Sequence, residues 1–138
     1  EEADVLLIWV VPKGKSLFQS KVQPISLRLS NNNVKVNHIQ ELSNQKPTLL
    51  AINYTNPWVI DEIYSTSTPQ IKGVLATFGT TLEALLEIVS GAAPPVAKMP
   101  FATPRSEKAV EEQKADVPGF EEQGKNYALF QYGEGLGY

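Results

Sequence analysis

The chain has 138 residues, 42% of them hydrophobic, a formal net charge of -3 and no cysteine. That length holds one domain with a real core, and the missing cysteine excludes disulfides and thiolate metal sites. Twelve scattered basic residues in an acidic chain leave no electrostatic footprint for nucleic acid or an anionic membrane surface.

Val5 to Val11 is a continuous apolar run closed by Pro12, the pattern of a strand buried on both faces. It is far too short to span a bilayer. It also follows Glu1, Glu2 and Asp4 rather than a basic leader, so the chain is expected to begin as mature protein or as a piece of one. Pro12 to Pro24 reads as a polar loop, and Ile25 to Leu29 alternates like a short half-buried strand. Val36, Ile39 and Leu42 recur at helical spacing within about 33–44.

Thr48 to Tyr54 is a second buried strand. Asn56 followed by Pro57 has the form of an N-cap with proline at the first helical position, and predicts a helix over Trp58 to Ser65. Ile71 to Thr77 is a third strand and Thr80 to Ser90 a third helix. Thr80 and Glu83 are spaced as a capping box, and Gly91 stands where a C-terminal glycine belongs. Beyond Gly91, four prolines punctuate an extended segment. Ser106 to Gln113 is expected as a short polar helix, Asp116 to Asn126 as loop, and Tyr127 to Tyr132 as a last short strand. Strands alternating with helices predict an α/β fold: a three-layer sandwich with a mostly parallel sheet, helices on both faces and an extended C-terminal tail. Residues 1–104 are expected to form the sandwich core and 105–138 an extension packing on it.

Three segments in order resemble glycoside hydrolase family 3. "GVLATFGTTLEALLEIVSGAAPPVAKMPFATP" is similar to the stretch closing that family's C-terminal α/β domain, with Ala97-Lys98-Met99-Pro100-Phe101 at its "GKLPF" position. "AVEEQKADVPGF" resembles the following linker, and "YALFQYGEGLGY" the tyrosine-rich ending of the β-glucosidase-like and β-xylosidase-like members. "EEADVLLIWVV" and "KPTLLAINYTNPWVIDEI" look like the family's central strands. The likeness is strongest from Gly73 onward and weak between Pro12 and Asn44. It departs at Glu134, where the family has an aromatic residue or histidine, and at Gly137, where it has serine.

The resemblance implies part of a β-glycosidase, hydrolysing O-glycosyl bonds in carbohydrate metabolism. Such enzymes pair this α/β domain with a (β/α)₈ barrel carrying an aspartate nucleophile, and a barrel takes about 250 residues. No segment here matches the nucleophile motif, and the domain's first strands are expected to be missing. The implied partners are a β-glycoside and the barrel, while charge and composition point to no cofactor, metal, nucleic acid or membrane. The alternative is a non-catalytic interaction module: missing first strands would leave sheet edges unpaired, through which the chain forms homo-oligomers or docks on a separate barrel subunit. An extracellular or periplasmic location follows from the same resemblance.

Retaining glycosidases need two carboxyl groups close together. In many members of the family the acid/base glutamate lies in the loop after a strand like Val5 to Val11, yet Pro12 to Pro24 holds no acid. Glu41, Asp61, Glu62, Glu83 and Glu87 fall on predicted helices and read as solvated faces, because adjacent helical positions do not face one another. His38 has no identifiable carboxylate or nucleophile partner and reads as a helix-surface residue. No catalytic residue is therefore expected in this chain.

Ligands of open α/β sheets gather at the carboxyl ends of the strands. There Lys13, Lys15, Gln19, Asn56, Trp58 and Thr80 are the substrate-facing candidates. Trp58 reads either as an aromatic platform for a sugar or as the first core residue of its helix. The turn at Gly79 lacks the further glycines and the lysine of a phosphate loop.

Overall fold

Three strands, β1 (Leu6–Val10), β2 (Thr48–Asn53) and β3 (Ile71–Thr77), pair in parallel in the order β1-β2-β3. This computed structural model describes residues 3–14, 25–113, 121–122 and 125–136. Helix α1 (Val36–Gln45) connects β1 to β2, and α2 (Leu82–Val89) follows β3. A short helix α3 (Glu107–Glu112) comes after β4 (Thr103–Pro104), which pairs antiparallel with β7 (Ala128–Phe130). The fold is an α/β sandwich with a parallel sheet and a small antiparallel appendage.

β2 is central because its run of apolar residues can be buried on both faces: Leu50, Ala51 and Ile52 are fully covered. Around it pack Leu29, Tyr54, Trp58, Ile60 and Ile63. Each fully buried large aliphatic side chain is worth about 1.5–3 kcal/mol of transfer free energy. β1 carries the same kind of sequence but lies at an edge, and all of it except Val10 is only half-buried. The expectation of a strand covered on both faces is corrected here.

Other expectations change as well. Ile25 to Leu29 forms no strand; one parallel bridge between Arg28 and Val59 is all that remains. Residues 58–65 form no helix, because the Val59 N–H donates to Leu27 O and draws the segment beside that bridge. A turn at 61–63 follows, with the Ile63 N–H donating to Ile60 O. Helix α1 begins at Val36, after a 3₁₀ turn (Ser30–Asn32) closed by Asn33 in the left-handed region at φ 61.

The capping residue of α2 is Thr81. Its hydroxyl accepts from Ala84 N at 3.3 Å, while Thr80 Oγ1 accepts from Phe78 N at 3.4 Å. With Thr81 as the cap, Glu83 stands one position too early for a capping box and serves only as an acid in the first turn. Gly91 ends the helix as expected, with φ 78 and its N–H donating to Ile88 O. Within the expected loop of 116–126, β5 (Glu121–Glu122) and β6 (Lys125–Asn126) pair antiparallel, and 114–120 lie outside the described residues. Tyr132 and Leu136 of the tail are both exposed, so burial of their side chains does not hold it. Main-chain bonds hold it instead, from Met99 N to Glu134 O and from Gly133 N to Met99 O.

Candidate functional site

The carboxyl ends of all three strands are joined by one polar network. Asn53, the last residue of β2, accepts through Oδ1 from Gly79 N at 2.9 Å and from Thr77 Oγ1 at 3.3 Å. Trp9 of β1 donates from Nε1 to Thr77 Oγ1 at 3.3 Å. Asn53 O in turn accepts from Trp58 Nε1 at 3.1 Å. Asn53 escapes a reading by hydrophobic pattern alone. Its signal is a polar residue ending an otherwise apolar buried strand, which needs internal partners.

Asn56 and Trp58 meet beside Gly14, the residue after Lys13. A Cβ on Gly14 would lie 3.4 Å from Trp58 Cη2 and 3.5 Å from Asn56 Nδ2, ordinary contact distances that place the loop against both side chains. Lys13 is exposed, and its N–H donates to Asn32 O. Asn56 is exposed, whereas Trp58 is fully buried. The core reading of Trp58 thus describes its surroundings, although no helix follows it. Thr80 stands apart, at the end of β3. Lys15 and Gln19 lie outside the described residues, as do most of the Pro12 to Pro24 loop and Gly137.

A cavity of ≈ 630 Å³ opens beside β3, walled by Gly73, Phe78, Leu85 and Met99 and also lined by Tyr54 and Thr80. Its volume suits a small organic ligand. Phe78 is 48% exposed but held from behind: its ring centroid lies 6.0 Å from that of Tyr54 and 5.9 Å from that of Phe101. Among the described lining residues Glu134 is the one carboxylate, and it is engaged by Gln131 N at 2.7 Å.

The remaining acids do not converge on this cavity. Glu62 binds Arg28 Nη2 at 3.3 Å and accepts from Ser30 N at 3.0 Å. Burial pushes its carboxyl upward, but the bonds from Ser30 and Arg28 outweigh this and hold its pKa below the usual value. Asp61 moves the other way, raised by burial and by the charges of Glu62 and Glu107 against the pull of Arg28. Arg28 also reaches Glu107 at 3.7 Å, so these charges tie the 25–32 segment to the 61–63 turn and to α3. Asp61 and Glu62 are therefore on a turn rather than a helix. His38 and Glu41 are exposed on α1, and Glu83 and Glu87 on α2. Among the described residues no three His, Cys, Asp or Glu side chains gather as a metal site, and no helix is long and apolar enough to cross a membrane.

Similar sequences occur in known proteins. The chain is 40% identical over 92 residues to a protein named β-glucosidase C from Emericella nidulans, covering 67% of this chain and 14% of that protein. It is 30% identical over 141 residues to a periplasmic β-glucosidase/β-xylosidase of Dickeya chrysanthemi, covering 99% of this chain and 20% of that protein. A probable β-glucosidase C of Aspergillus oryzae is 39% identical over 92 residues. The chain thus spans a fifth or less of the length of these curated relatives. No family model and no solved structure matches it.

Proposed function

We propose that this chain, homologous to part of the β-glucosidases of glycoside hydrolase family 3, forms one wall of the carbohydrate pocket of a β-glycosidase and does not hydrolyse a glycoside alone. One observation carries the second half: the cavity beside β3 is lined by a single described carboxylate, Glu134, where a retaining or inverting mechanism needs two. The rest of the machinery is assigned to a (β/α)₈ barrel, with a β-glucoside or β-xyloside as substrate. On this reading Lys13, Asn56 and Thr80, at the strand ends, face the sugar, and Lys15 and Gln19 extend the same loop. Trp58 serves them from below as packing for Gly14. Residues 105–138 act as an extension laid on a core of 1–104, and the location is outside the cytoplasm.

The direct test is incubation of the purified chain with aryl β-glucosides and β-xylosides. No release of the aryl group is expected. Turnover that disappears on substituting a carboxylate of this chain would reverse the assignment.

A second reading, favoured by the half-buried edge strand β1, makes the chain an interaction module. It then dimerises through an open sheet edge or docks on a separate barrel. Sedimentation of the chain with and without a separately produced barrel domain distinguishes these assemblies from a monomer.

A further inference from the structure

The described lining of the cavity beside β3 lies between Tyr54 and Leu136. Part of that lining is tied in place by the chain itself. The Met99 N–H donates to Glu134 O at 2.8 Å, the Gly133 N–H to Met99 O at 2.9 Å, and Lys98 Nζ to Gly135 O at 2.6 Å. The other charged and threonine side chains of the lining are engaged too. Lys72 Nζ donates to Pro69 O at 2.6 Å, Glu134 accepts from Gln131 N, and Thr80 Oγ1 accepts from Phe78 N. Thr77 belongs to the Asn53 network. The remaining lining side chains are apolar or aromatic.

A pyranose carries hydroxyls around its whole rim, and each one buried here without a partner costs affinity. A planar aromatic ring has no such cost and gains by leaving water. Phe78 is built to receive one. Its ring is half-exposed, yet Phe101 meets it edge-on at 85° and Tyr54 lies tilted against it at 31°. A ring already fixed this way loses little freedom when a ligand packs on it. Met99 adds a thioether, which makes favourable contacts with aromatic rings.

We propose that this cavity binds the aromatic aglycone of a β-glycoside and leaves the sugar to the polar groups at the strand ends. The proposal rests on the pocket-wall reading and deepens it by naming a class of substrate. Tyr54, Thr77, Phe78 and Thr80 bring the cavity to the carboxyl ends of β2 and β3. Thr80 is thus shared by the cavity and the sugar-facing set, which puts the glycosidic bond beside it.

Met99 lines the cavity and is the single methionine of the sequence, so a carbon-13 label on its ε-methyl gives one reporter there. The chain, released from a cleavable tag without a further methionine, is titrated with phenyl β-glucoside, phenol and methyl β-glucoside. Ring-current shifts of that methyl are expected with the first two and none with the third. Phe78→Ala should weaken both aromatic ligands about tenfold, while Phe78→Tyr, which keeps the ring, stays within about threefold. Ala84→Trp, at a half-buried lining position on α2, should block both. The comparison of ligands on the unaltered chain decides the matter even if a variant fails to fold. No shift with either aromatic ligand overturns the proposal. So does an equal shift with methyl β-glucoside, which would make the cavity a sugar site, or binding of phenol alone, which would deny the glycoside entry. The pocket wall is judged separately, by whether this chain supports hydrolysis in place of its counterpart in a relative, so the two can fail independently.

Discussion

Asn53 Oδ1 accepts a hydrogen bond from the Gly79 backbone N–H at 2.9 Å, so the end of the central strand holds the turn that leaves its neighbour. The same oxygen takes Thr77 Oγ1, and through Thr77 the indole of Trp9 joins the network. Asn53→Ala leaves a buried threonine hydroxyl and the turn's N–H without this acceptor. The expected loss is about 1–3 kcal/mol in denaturant unfolding, because a buried polar group left unpaired bears its full desolvation cost. A loss below a few tenths would mean that the network holds nothing.

Gly79 adopts φ 68, and a Cβ added there would meet no atom within 4 Å, so Gly79→Ala isolates the backbone term. A left-handed alanine costs about 1–2 kcal/mol. Gly91, at φ 78 and equally open, should behave alike. Gly73→Ala differs in kind: its Cβ would meet Leu49 Cδ2 at 3.1 Å, and its cost depends on whether that side chain yields. Equal losses at Gly79 and Gly91 in thermal unfolding, independent of nearby side chains, check the first two.

Tyr54 buries its hydroxyl beside Thr103 Oγ1, and neither atom completes a well-formed hydrogen bond. Tyr54→Phe removes an unsatisfied group from the core and keeps the ring contacts with Phe78 and Phe101. Its stability should stay level or rise by up to about 1 kcal/mol. Burial also pushes the phenol up to about 12 from its usual 10.0, against a smaller opposing effect of Thr103. The folded pKa exceeds the unfolded one, so this group's contribution is complete below pH 10 and is lost as pH climbs through about 12. Tyr54→Phe should abolish that part of the alkaline decline in a pH series of denaturation curves.

Glu62 supplies the acid-side counterpart. Its folded pKa is lowered from 4.5, so its stabilisation is present above pH 4.5 and lost as pH falls through the folded value. Asp61 is raised and acts with the opposite sign, which makes the difference between wild type and Glu62→Gln the useful quantity. At neutral pH that difference should be about 1 kcal/mol, modest because Arg28 is partly exposed. It should shrink as the pH is lowered, and a gap that stays constant would contradict the pairing.

Hydrophobic pattern placed β2, β3, α1 and α2 to within a few residues, because each buries apolar residues at its own period, and α3 falls where a short polar helix is expected. It misplaced what tertiary contacts decide. Val59, Ile60 and Ile63 have helical spacing behind a good Asn–Pro start. They are nevertheless buried from an irregular segment, since Val59 is bonded to Leu27. Two adjacent threonines, Thr80 and Thr81, compete for one cap, and nothing local separates them. β1 reads as a covered strand because composition reports how apolar a strand is and not who its neighbours are. Of the strand-end candidates, Asn56 and Trp58 lie beside Gly14, but the hub at Asn53 depends on bonds between strands distant in sequence.

Whether this fold completes a β-glycosidase pocket is tested most directly in a chimera. The homologous stretch of the Dickeya chrysanthemi β-glucosidase/β-xylosidase is replaced with this chain, and hydrolysis of an aryl β-glucoside and an aryl β-xyloside is followed. A chimera that hydrolyses at least one of them well above the same enzyme lacking the stretch is the predicted result. A folded chimera no more active than that deletion would contradict the pocket-wall assignment.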